Sequence, residues 1–121
     1  LWERASRDGG SYYPPTYGDD GFVHGTSDPA RLLAVANHFY RGVGGDWCCL
    51  CMTVDSLQRT GVKTVFEKAA PVGASDSDLA GAEDELFPHL YGGISAAAVL
   101  EVRPVTRAAD GTFLSVAGVT G

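Results

Sequence analysis

Two histidines in this chain sit in compact settings whose neighbours suit ligand chemistry. His24 lies in Gly21-Phe22-Val23-His24-Gly25-Thr26-Ser27, where an apolar pair delivers an imidazole, a glycine and two hydroxyls to one point. His89 lies in Leu86-Phe87-Pro88-His89-Leu90-Tyr91-Gly92, where aromatics, a proline and a glycine restrict the backbone around a second ring. An imidazole can donate, accept or carry a proton near neutral pH. Two of them, each expected at the edge of a loop, predict a shared pocket.

The residues beside His24 fit a ligand with a planar carboxamide and sugar hydroxyls, as in nicotinamide adenine dinucleotide (NAD). Gly25 has no Cβ to obstruct such a group, so its N–H and C=O can hold the amide. His24 can then bond a ribose hydroxyl, and Thr26 can orient the ribose or His24 itself. Cleaving the nicotinamide–ribose bond builds positive charge on the sugar, which a carboxylate beneath the ring stabilises. Glu67, ending an expected strand, is the best candidate. A metal-dependent hydrolase using His24, His89 and a carboxylate is a further reading. No close-spaced ligand pair supports it, and no metal is expected. A binding module without catalysis, whose histidine motifs recognise a small ligand or a partner protein chain, is the remaining alternative.

Composition narrows the class. With 121 residues, 45% of them hydrophobic and 20% charged, the chain matches one globular domain. A formal net charge of -6 and the absence of any run of Lys or Arg speak against nucleic acid as a partner. No apolar stretch approaches the roughly 20 residues that cross a bilayer. We expect a soluble chain without a membrane partner, binding a small nucleotide-like ligand. The three cysteines all fall in Cys48-Cys49-Leu50-Cys51. Neighbours on a strand point to opposite faces and an odd count leaves one unpaired, so reduced core thiols and a cytoplasmic setting are expected.

These residues must be held by a few short elements. Leu1 to Arg7 predicts a helix ended by Asp8-Gly9-Gly10, and Tyr12 to Gly21 a surface loop. Phe22 and Val23 start a strand that stops at Gly25. Asp28-Pro29 predicts a helix start, followed by Leu32, Val35, Ala36, Phe39 and Tyr40 at helical spacing up to Gly42, with His38 on the polar face. The apolar run Asp46 to Thr53 predicts a central strand covered on both faces. Asp55 to Gly61 reads as a turn, and Val62 to Glu67 alternates as a strand. Ala69 to Glu85, rich in Gly, Ala, Ser and acid, is expected to be a mobile lid or loop. Ser95 caps a helical turn, and Val99 to Val105 is a strand whose Pro104 predicts a sheet edge. Ala108 to Gly121 is expected to be a tail or a short edge strand.

The order Gly-Phe-Val-His-x-Thr, a strand ending Phe-Glu, then Leu-Phe-Pro-His-Leu-Tyr-Gly and a strand ending Val-Arg-Pro resembles the family catalogued as domain of unknown function 952. The resemblance runs over about residues 1 to 105, with the Leu-Phe-Pro-His-Leu-Tyr-Gly run as its specific part. It implies an α+β fold of small split antiparallel β-sheets with short flanking helices, a compact relative of the ADP-ribosyltransferases. In those enzymes a His-Gly-Ser/Thr strand grips the cofactor, which His24-Gly25-Thr26 matches position by position. The resemblance implies Glu67 or Glu101 as the late carboxylate, with Glu67 preferred because it ends its strand near the motif-bearing half. Tyr91 follows His89 in an expected turn and does not align to the family's tyrosine. The family opens with a strand before the Leu1-Trp2 position, so that strand is expected to be missing or replaced by the C-terminal tail. The RNA 2'-phosphotransferases of the same fold use several arginines, and none of the seven here lies inside the histidine motifs.

The expectation is thus a single domain over residues 1–105, with 106–121 as a tail or edge strand. Glu67 and His89 are the expected catalytic residues, and His24, Gly25, Thr26 and Tyr91 the expected binders of NAD or an ADP-ribose-like nucleotide.

Overall fold

A computed structural model describes residues 2–7, 9–68 and 85–120, and all that follows concerns these. They form α1 (Trp2–Arg7), β1 (Ser11–Tyr12), α2 (Tyr17–Asp20), β2 (Val23–His24), α3 (Pro29–Phe39), β3 (Cys48–Cys51) and α4 (Val54–Arg59). Then come β4 (Lys63–Lys68), β5 (Leu86–Tyr91), β6 (Ile94–Ser95), a 3-10 turn (Ala96–Ala98), β7 (Glu101–Arg107) and β8 (Phe113–Val116). The strands make three small antiparallel sheets, ordered β1-β6, β2-β5-β4 and β3-β7-β8. The fold class is α+β.

Several elements follow from local chemistry. Asp28 caps α3 by accepting the Ala30 N–H at 3.0 Å, and Pro29 at the first helical position loses no bond there. Ser95 caps the 3-10 turn in the same way, accepting the Ala97 N–H at 3.2 Å. The tail forms β8 after the turn at Asp110-Gly111, as an edge strand of its sheet. Asn37 of α3 holds that edge, donating to the Phe113 carbonyl at 3.1 Å and accepting the Phe113 N–H at 2.7 Å.

Other expectations are corrected. The stretch Tyr12 to Gly21 is not all loop: it contributes half of β1 and all of α2, the latter closed by Gly21 in the left-handed region at φ 79°. The expected turn after Asp55 is helix α4. Its capping box pairs the Thr53 hydroxyl with the Ser56 N–H at 2.9 Å and the Ser56 hydroxyl with the Thr53 N–H at 2.9 Å. We expect Thr53→Ala to cost about 1 kcal/mol and to lower the thermal midpoint by roughly 5 °C, read by a circular-dichroism melt. An unchanged midpoint would deny the box its role.

The strand at Cys48–Cys51 is an edge strand rather than a central one, and no residue in it is fully buried. Central positions go instead to the two strands that contain proline, β5 and β7. The reason is the same in both. A residue's N–H and C=O point to the same side of a strand. The Pro88 carbonyl accepts from Gly25 N–H at 2.9 Å and the Pro104 carbonyl from Ala117 N–H at 3.0 Å, each just past the end of a neighbouring strand. Each proline thus lacks its N–H where the neighbour has run out, and the opposite ladder loses nothing. The expected lid or loop Ala69 to Glu85 lies outside the described residues except for Glu85, which pairs with Arg31 at 2.9 Å.

The core gathers Val23, Leu57, Val62, Leu90, Ile94 and Ala98, with Trp2, Tyr12, Tyr17, Leu50, Met52 and Val99 packed against it. Residues of β2 and β5 alternate, so Val23 and Leu90 face this core while His24 and His89 face away. Among the described residues no helix is long and apolar enough to cross a membrane.

Candidate functional site

The antiparallel register of β2, β5 and β4 assembles the site on one sheet face. His24 stands directly opposite His89, and His89 opposite Val65, so Glu67 is a diagonal neighbour of His89. His89 therefore sits within a central strand, not at a loop edge. The two imidazoles lie 5.6 Å apart, edge to face. Phe22, two residues before His24, stacks on the His89 ring at 4.1 Å with an interplanar angle of 17°. The same ring reaches His24 at 4.7 Å and Tyr91 at 5.5 Å.

Two carboxylates complete the cluster. Glu67 Oε1 accepts from His89 Nδ1 at 3.0 Å and from the Tyr91 hydroxyl at 2.5 Å. These donors, Tyr91 first, hold the Glu67 carboxyl below the usual range, so it is ionised at neutral pH. The same bond pushes the Tyr91 hydroxyl up. Asp20, at the end of α2, lies 2.8 Å from His24 Nε2 through Oδ2. Burial is the larger influence on His24 and lowers its pKa, with Asp20 opposing and His89 assisting.

The His24 shift predicts a pH dependence. A histidine whose folded pKa lies below the ordinary 6.5 binds fewer protons folded than unfolded. Its effect on stability is therefore absent above 6.5 and grows as the pH falls below it. We expect His24→Gln to lose less stability than the natural chain when urea melts at about pH 7.5 and about pH 5.5 are compared. Equal losses would remove His24 as the cause.

Of the expected site residues, the structure brings together His24, Glu67, His89 and Tyr91. Gly25 sits behind them against Pro88, where an added Cβ would lie 3.2 Å from the Pro88 carbonyl and 3.3 Å from its ring. Packing therefore gives its own reason for this glycine. Thr26, half-buried, makes no hydrogen bond within the cluster among the described residues. Glu101 belongs to another sheet, where Arg103 holds its carboxylate at 2.5 Å. Asp20 and Phe22 were not among the expected site residues. The spacing Phe22-x-His24 on a strand carried a signal for Phe22, since alternate residues share a face.

The remaining chemistry-bearing groups stand apart. Cys48, Cys49 and Cys51 are free thiols, and burial pushes Cys49 up to about 11, which keeps it protonated. Among the described residues no three His, Cys, Asp or Glu side chains are grouped to hold a metal ion. Two open concavities lie elsewhere, one of about 240 Å³ beside Leu33 and Thr120 and one of about 410 Å³ between Arg41 and Gly111. Neither of these two is lined by His24 or His89.

The match to the family described as Protein of unknown function (DUF952) covers residues 1–102. The chain belongs to the DUF952 family. Its two histidine motifs, β4 and the first residues of β7 all fall inside the matched span. No curated protein and no solved structure matches this DUF952 chain.

Proposed function

We propose that the face carrying His24, Glu67, His89 and Tyr91 binds NAD or an ADP-ribose-like nucleotide, and that Glu67 supports transfer of the ADP-ribose group. The observation that carries this reading is the state of Glu67. Two donors converge on one oxygen of a carboxylate that is still partly open to solvent, and they keep it negative. An ionised carboxylate held in place suits a sugar cation developing in the transition state better than it suits proton donation. His89, bonded to that carboxylate, fixes its direction. The other groups supply recognition: His24 and Tyr91 offer hydrogen bonds beside Phe22, and the resemblance of His24-Gly25-Thr26 to the cofactor grip of ADP-ribosyltransferases supports a nucleotide over other small ligands.

The alternative, a binding module without turnover, draws on a different observation. His89 is only 3% exposed, because Phe22 covers its ring. A covered imidazole serves architecture as well as it serves chemistry. The two readings share a first test, a thermal melt with NAD and with ADP-ribose. Either compound at about a hundred times its dissociation constant should raise the midpoint by on the order of ten degrees. No shift with either would end both nucleotide readings.

A further inference from the structure

The face holds two carboxylate–imidazole pairs, and they use opposite ring nitrogens. Asp20 meets His24 at Nε2, whereas Glu67 meets His89 at Nδ1. An ionised carboxylate accepts and never donates, so the bonded nitrogen must carry the hydrogen in each pair. In the neutral rings this leaves His24 Nδ1 and His89 Nε2 as acceptors.

We infer that Asp20 is a positioning residue, fixing His24 as the Nε2–H tautomer so that Nδ1 accepts from an O–H or N–H group of the ligand. The ligand half of this inference rests on the nucleotide reading; the tautomer half does not. Three observations support it. The Asp20 side chain is 6% exposed and that of His24 15%, so the bond is shielded from competing water. Although the residues are four apart, Gly21 turns the chain between them from α2 into β2, so the bond ties two elements rather than bracing one helix. Phe22, against the His24 ring at 4.7 Å, limits its swing.

His24 faces Asp20 from α2 and His89 from β5. Asp20 also acts on Tyr40 at the end of α3, whose hydroxyl is pushed up to about 12 by burial first and by Asp20 second. Tyr40 therefore stays neutral.

Nitrogen-15 spectra of the histidine rings in the ligand-free protein test the assignment without any variant. We expect His24 as Nε2–H and His89 as Nδ1–H; His24 found as Nδ1–H would overturn the proposal. In Asp20→Asn the amide can donate or accept, so His24 should become a mixture of tautomers and titrate at a lower pH, having lost the charge that favours its protonation. Asp20→Glu should restore both toward the natural values. An unchanged tautomer and midpoint in Asp20→Asn would refute the positioning role. Affinity for ADP-ribose should fall roughly threefold to tenfold in Asp20→Asn, the worth of one modest hydrogen bond. If the natural protein shows the expected tautomers but binds no ADP-ribose, the nucleotide reading falls and the role of Asp20 stands.

Discussion

Replacing Glu67 by Gln is expected to cut release of nicotinamide from NAD by about a hundredfold to a thousandfold while leaving ADP-ribose affinity within about threefold. The site makes this substitution unusually clean. Both donors, His89 Nδ1–H and the Tyr91 hydroxyl, converge on Oε1 alone. The amide oxygen of Gln can take both bonds, so the variant loses the charge and keeps the geometry. Only a step that develops positive charge should notice. Chromatographic detection of nicotinamide reads the first effect and calorimetric titration the second. Retained release would remove Glu67 from the chemistry, and a natural protein that binds ADP-ribose but releases no nicotinamide would be a binding module.

The second large effect concerns the core packed behind this face. Ile94→Ala should cost about 2–5 kcal/mol, against a total stability on the order of 5–15 kcal/mol for a domain. Ile94 is 1% exposed, and on β6 it pairs with Tyr12 of β1. Truncation leaves a cavity among Val23, Leu57 and Leu90, and two of those share β2 and β5 with the histidines. Urea melts should also place Ile94→Val at about 0.5–1.5 kcal/mol. A loss below about 1 kcal/mol for the alanine variant would mean that the cavity collapses, contrary to a core centred on Ile94.

What could be read before any coordinates depended on how far each feature's causes lay along the chain. The start of α3 was legible because Asp28 and Pro29 act within one turn of each other. Helix α4 was missed because its capping box uses Ser56 in place of the usual Glu or Gln, and because burial of Leu57 at 4% exposure supplies much of its reason to form. Pro104 misled for a different reason. A proline is confined to edges only where its absent N–H would face a partner, and Pro104, like Pro88, faces the end of one.

The site divides in the same way. His24, Glu67, His89 and Tyr91 could be proposed from residue type and motif, and the cross-strand register then brings them together. The partners that set their chemistry could not. That Phe22 covers His89 depends on which residues of β2 and β5 stand opposite each other, and the Asp20 bond depends on a four-residue helix hidden in a proline-rich stretch. Gly25 carried an ambiguous signal, because a glycine that admits a ligand and a glycine that admits Pro88 look alike in sequence.

The claim that this sheet face is the ligand site can be tested on the three histidines themselves. ADP-ribose is titrated into the protein while the ring signals of His24, His38 and His89 are followed by nuclear magnetic resonance. The account predicts saturable shifts at His24 and His89 with His38, exposed on α3, unmoved. Silence at His24 and His89 under saturating ligand, or movement of His38 alone, would contradict it.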